Sequence, residues 1–107
     1  AAEAHEAGHL EEAAALYRQA LLADPGNAAL LNNLGAVLWQ LGRADEAVEC
    51  YRRGAEAAPE QAVPHFNLGE ALLRTGRPAE ALLPLRAAAT LEPGLHAAWA
   101  TLGEALL

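Results

Sequence analysis

Apolar residues recur along this chain with two nested periods. Within residues 28–41, Leu31, Leu34, Gly35 and Leu38 fall at i, i+3, i+4 and i+7, which places them on one stripe of a helix. Gly42 follows, and glycine readily supplies the left-handed conformation that ends a helix. A second stripe of Ala47, Val48, Tyr51 and Ala55 predicts a helix over about 44–57, and Pro59 then closes the segment.

The longer period is 34 residues. Gly8, Gly42 and Gly76 share it, as do Ala13, Ala47 and Ala81. So do Pro25, Pro59 and Pro93; Leu34, Leu68 and Leu102; and Gly35, Gly69 and Gly103. A fixed period of this length marks stacked supersecondary units, each unable to bury its apolar face alone. That points to a binding scaffold before any site is considered. Gly35, Gly69 and Gly103 lie mid-helix, where glycine costs up to about 1 kcal/mol against alanine. Their recurrence predicts close approach of two helices at each position. Pro78 suits the first turn of a helix, whereas Pro84 falls inside one. Pro84 removes a hydrogen bond and crowds the carbonyl of Glu80, which predicts a kink or a displaced start.

The motif resembles the tetratricopeptide repeat across the whole chain. One unit gives Leu31, Leu34, Gly35, Leu38, Ala47, Tyr51, Gly54 and Pro59. The next gives His65, Leu68, Gly69, Leu72, Ala81, Leu85, Ala88 and Pro93. A partial first unit keeps Ala13, Tyr17, Ala20 and Pro25, and a last one begins with Trp99, Leu102, Gly103 and Leu106. His65 stands where a large apolar residue is usual, and Leu85 replaces an aromatic. The resemblance implies an all-α, right-handed superhelical solenoid of antiparallel helix pairs, with about seven helices. It divides the single domain into a partial repeat at 1–27, repeats at 28–61 and 62–95, and one further helix at 96–107.

Composition narrows the partners. Fourteen acidic residues face seven basic ones, and every basic one is arginine. A net charge of −7 argues against nucleic acid or an anionic membrane as partner. No apolar run reaches membrane-spanning length and no signal peptide is visible, which favours a cytoplasmic setting. The lone Cys50 excludes an internal disulfide and reads as structural.

One motif tempts towards catalysis. His5-Glu6-Ala7-Gly8-His9 matches H-E-x-x-H, in which two histidines on one helix face bind zinc beside a glutamate base. The repeat register places Gly8 in a turn, so that His5 and His9 straddle a helix break. The match is therefore read as coincidental. No metal site, cofactor or catalytic set is expected, and the chain reads as no enzyme.

The resemblance also says where a ligand lies. In such arrays the first helix of each pair lines a concave groove, and the residue before Leu-Gly points into it. Here those residues are Asn33, Asn67 and Thr101. An asparagine amide can pair with a peptide backbone without reading its sequence. Recurring asparagine here is similar to the ladder of O-linked N-acetylglucosamine transferases. Further groove residues implied are Asn32, Trp39, Phe66, Glu70 and Arg74, with Trp39 and Phe66 suited to an apolar ligand side chain. Chaperone-binding members instead hold a C-terminal carboxylate with basic residues. The matching positions here, Val63 and Asn67 or Ala97 and Thr101, are uncharged, which removes that function.

The expected function is a protein–protein interaction scaffold that holds an extended or helical segment of a partner. Two alternatives stand beside it: a substrate-docking segment of a larger glycosyltransferase-like enzyme, and a self-assembling unit joined through its incomplete terminal repeats.

Overall fold

The structure is a computed structural model that describes residues 2–107, with side chains described from residue 7 onward. Six helices follow one another: α1 (Ala2–Ala23), α2 (Ala28–Gln40), α3 (Ala44–Ala57), α4 (Ala62–Arg74), α5 (Pro78–Leu91) and α6 (His96–Leu106). The described residues contain no strand.

Local chemistry sets the boundaries. Asn27 caps α2, its side-chain oxygen accepting from the Leu30 amide at 3.1 Å. At the other end, Gly42 adopts φ +79° and its amide donates to the Trp39 carbonyl, while Arg43 N–H donates to Leu38. Gly76 repeats this after α4 with φ +80°, donating to Leu73 as Arg77 donates to Leu72. These paired bonds satisfy helix-end carbonyls that would otherwise lack a donor.

Gly8 does neither. It lies inside α1, with no positive φ and nothing within 4 Å of where a side chain would begin. The expected turn is absent, and six helices stand where about seven were expected. Alanine and glutamate dominate both flanks of Gly8, and their summed helix propensity outweighs the cost of one glycine. His5 and His9 therefore lie on one unbroken helix, not on either side of a break. The side chains of His5 and Glu6 lie outside those described, and no metal-binding group of three appears among the described residues. Of the two outcomes expected at Pro84, a displaced start is not found: α5 starts at Pro78 and runs through Pro84.

Each helix packs on its neighbours in the chain, which makes a solenoid of antiparallel pairs. α2 also touches α4, and α4 touches α6, whereas α1, α3 and α5 make no comparable contacts with one another. The even helices therefore form the inner, closely spaced layer and the odd helices the splayed outer one. The core runs between the layers, with Leu31, Leu38, Leu72 and Leu85 almost wholly enclosed. At Gly35, a Cβ would meet the Tyr51 ring at 2.7 Å; at Gly69, it would meet Leu85 at 2.6 Å. The close approach expected at these glycines is present. Gly103 has nothing within 4 Å.

Polar contacts follow the period as well. Arg43 pairs with Glu11, and one period later Arg77 pairs with Asp45 at 3.4 Å. Each ties an interhelical loop to the preceding outer helix. His65 Nε2 donates to the Pro59 carbonyl at 2.8 Å, and Trp99 Nε1 donates to the Pro93 carbonyl at 2.9 Å, again one period apart. A ring N–H at this position fastens the inner helix to the proline loop before it, which gives His65 its role in a place where most units carry an apolar residue.

Candidate functional site

α4 presents Asn67, Glu70, Ala71 and Arg74 at i, i+3, i+4 and i+7, one face of the helix. Trp39, from the last turn of α2, stands beside this face, and Tyr51 of α3 reaches in between the two inner helices. The six residues enclose a cavity of about 310 Å³. That is at the small end of ligand sites and suits one long side chain.

Four residues expected in the groove meet here: Trp39, Asn67, Glu70 and Arg74. Asn33 is exposed on α2, outside the cavity, and neither it nor Asn67 has a side-chain hydrogen bond within the described residues. Phe66 is half-buried and packs against the core. Asn32 packs on α3, with its buried Oδ1 lacking a hydrogen-bond partner and 2.7 Å from where a Gly54 side chain would begin. Thr101 is buried, 7% exposed, and does not line the cavity. On α6, Thr101 is buried while Trp99 is half exposed.

Tyr51 lies outside the groove set that the sequence implies. The apolar stripe places it in the core as the aromatic of a second helix, and its ring does pack against Gly35. With no side chain at position 35, the ring sinks far enough inward to reach the opposite face of the layer.

Charge at the cavity is unevenly matched. Arg74 donates to Glu104 Oε2 at 2.9 Å, which draws the guanidinium towards α6. Glu70 has no ion pair among the described residues. Burial pushes the Tyr51 phenol above its ordinary pKa, and the Glu70 carboxylate raises it further. Elsewhere, burial raises the Cys50 thiol, which keeps it protonated and unreactive.

Two larger grooves, of about 550 and 410 Å³, lie between the outer helices. Pro25, Leu34 and Leu38 line one; Pro59, Leu68 and Leu72 line the other in the same register. Such grooves follow from the splay of the outer layer. The Trp39 cavity breaks the period instead: Leu73 occupies the place of Trp39 one unit on, while Ala36 and Gln40 occupy those of Glu70 and Arg74 one unit back.

A tetratricopeptide repeat family model matches residues 4–65, and a second one matches residues 62–82. The first spans more than half of the chain. The chain belongs to the tetratricopeptide repeat family. No curated protein matches it in sequence. Among solved structures, the protein MamA aligns with TM-score 0.84 and 24% identity, over 96% of this chain and 60% of MamA. An O-GlcNAc transferase from Thermobaculum terrenum aligns with TM-score 0.80 and 29% identity, over 97% of this chain and 20% of the transferase. YrrB, described as a TPR protein with an unusual peptide-binding site, aligns with TM-score 0.82 and 26% identity, over 95% of this chain and 53% of its own. The chain thus spans less than two thirds of the length of each of these three. A further similar structure is the Yersinia enterocolitica secretion chaperone SycD in complex with a peptide of YopD, with TM-score 0.81 and 24% identity over 94% of this chain and 82% of that one.

Proposed function

We propose that this tetratricopeptide repeat chain is a non-catalytic scaffold that holds an extended or helical segment of a partner protein along its inner layer. The observation that carries this reading is the convergence of Trp39, Asn67, Glu70 and Arg74 on one cavity, with the Asn67 amide unpartnered. An amide half-shielded from water and without a protein partner is ready to pair with a peptide backbone. Trp39 adds the large, rigid surface that dominates interface energetics. The peptide held by SycD and the peptide site of YrrB lend the reading support.

Selection of a random linear-peptide library on the chain tests it, with binding mapped by NMR. Bound peptides should shift resonances of Trp39, Asn33, Asn67 and Glu70. The double variant Asn33→Ala, Asn67→Ala should lose about 0.5–1.5 kcal/mol per site with helicity unchanged. Shifts confined to the outer helices, or unchanged affinity in the double variant, place the site elsewhere.

The likeness to the O-GlcNAc transferase favours a second reading, in which these repeats are a docking segment of a larger enzyme. The exposed Trp99 and Leu106 of α6 favour a third, self-association through that helix.

A further inference from the structure

We infer that the Trp39–Tyr51 cavity selects a basic side chain, so that the partner segment presents an arginine or lysine there. The inference rests on the groove reading above and adds the chemistry of the residue being read.

Three observations meet at the cavity. Its aromatic walls, Trp39 and Tyr51, belong to different helices and open on the same small volume. An aromatic face attracts a cation through its quadrupole, most strongly for tryptophan. Glu70 lies in the lining, half-buried and without an ion pair among the described residues. A carboxylate partly withdrawn from water and left unmatched gains most from an incoming N–H cation, through a charge-assisted hydrogen bond. Arg74, the one cation of the lining, is bonded to Glu104, so the cavity and its rim carry two carboxylates against one guanidinium.

The chain as a whole reinforces this. It carries −7, and five of its seven arginines are already engaged in ion pairs with its own acids. The surplus of acid steers a basic segment towards the surface and repels an acidic one. The cavity's departure from the repeat period adds weight, since neither equivalent position pairs an aromatic with a carboxylate in this way: Leu73 and Glu104 stand one unit on, Ala36 one unit back.

The experiment selects random linear peptides on the wild-type chain and on Glu70→Gln and Glu70→Arg, with circular dichroism confirming the fold of each. Wild-type peptides should be enriched in arginine or lysine at one position. Replacing that residue by citrulline or norleucine should weaken binding about tenfold, and the loss should shrink in Glu70→Gln. Glu70→Arg should turn the preference towards acidic residues. Affinity for the basic peptides should also fall as salt is raised. Peptides that map to the inner layer with no basic preference, or with a preference unchanged by Glu70→Gln, overturn the inference and leave the groove reading standing. Failure of any peptide to bind the inner layer overturns both.

Discussion

At the scale of single residues, three glycines in one register should respond to alanine with opposite signs. Gly35→Ala drives a methyl into the enclosed Tyr51 ring, and Gly69→Ala drives one into Leu85, whose backbone nitrogen also lies only 3.3 Å away. Neither neighbour can yield freely, so each substitution should cost about 1–3 kcal/mol despite better helix propensity. Gly103→Ala meets nothing and keeps only the propensity gain, about 0.5–1 kcal/mol of stabilisation. Urea titrations of the three variants decide this, and a loss of stability at Gly103 contradicts it. These glycines were visible from the 34-residue period alone. The residue that fills the space above Gly35 or Gly69, and the open space above Gly103, were not. Periodicity assigned Tyr51 to the core, but whether its ring also reaches the inner surface depends on how deeply it seats, a packing quantity that no spacing encodes. His65 is similar: its departure from the family pattern was plain, yet its hydrogen bond to Pro59 exists only once the loop folds back over α4.

At the scale of elements, α2 and α3 matched their expected boundaries: Asn27 caps the start of α2, Gly42 separates the two helices, and Pro59 follows the end of α3. α1 did not. The same glycine register at Gly8 implied a break, but a left-handed cap forms only where the following chain turns back onto a partner helix. Gly42 and Gly76 do so, and Gly8 does not. The period gave equal weight to three glycines that packing treats differently. Pro84 is the converse case, a residue with a strong local penalty that the array overrides. Leu85, the next residue, is fully buried against Gly69, and Ala81 and Ala88 are buried on the same side of α5. Burial of this stripe offsets the missing bond to the Glu80 carbonyl. Pro84→Ala restores that bond without touching the stripe, because position 84 lines the outer groove. The variant should therefore be more stable by about 1–3 kcal/mol, read as a higher denaturant midpoint at unchanged slope. An unchanged or lower midpoint shows that the ring contributes more in the groove than the helix loses.

At the scale of the whole described array, its first and last helices both expose apolar side chains. On α6, Trp99 is 50% and Leu106 58% exposed, whereas the register equivalents Leu31, Leu38 and Leu72 are each 1% exposed. Gly103 offers open space where Gly35 receives Tyr51. On α1, Leu16 is 60% exposed against 8% for its equivalent, Cys50. α1 also carries Ala13, Ala20 and Tyr17, the last half-buried against the core; they are the counterparts of the Ala47, Gly54 and Tyr51 that pack α3 on α2. The internal joint between α2 and α3 thus has a template at each end of the array: α1 of one copy can seat on α6 of another, with Tyr17 over Gly103. Such a joint is head-to-tail and leaves the same two faces free at its ends, so it propagates rather than closing into a dimer. At about 25 cal/mol per Å², a few hundred Å² of covered apolar surface favours association by several kcal/mol before entropic costs, which implies a weak, concentration-dependent contact. The 107-residue chain should therefore show a mass that rises with concentration in sedimentation equilibrium. Gly103→Arg is the decisive variant. Position 103 has no neighbour within 4 Å, so the substitution leaves the single copy folded, yet it occupies the seat that Tyr17 needs. It should hold the chain monomeric with undiminished helicity. A wild-type chain that stays monomeric at high concentration, or a Gly103→Arg chain that associates as before, rules out this joint.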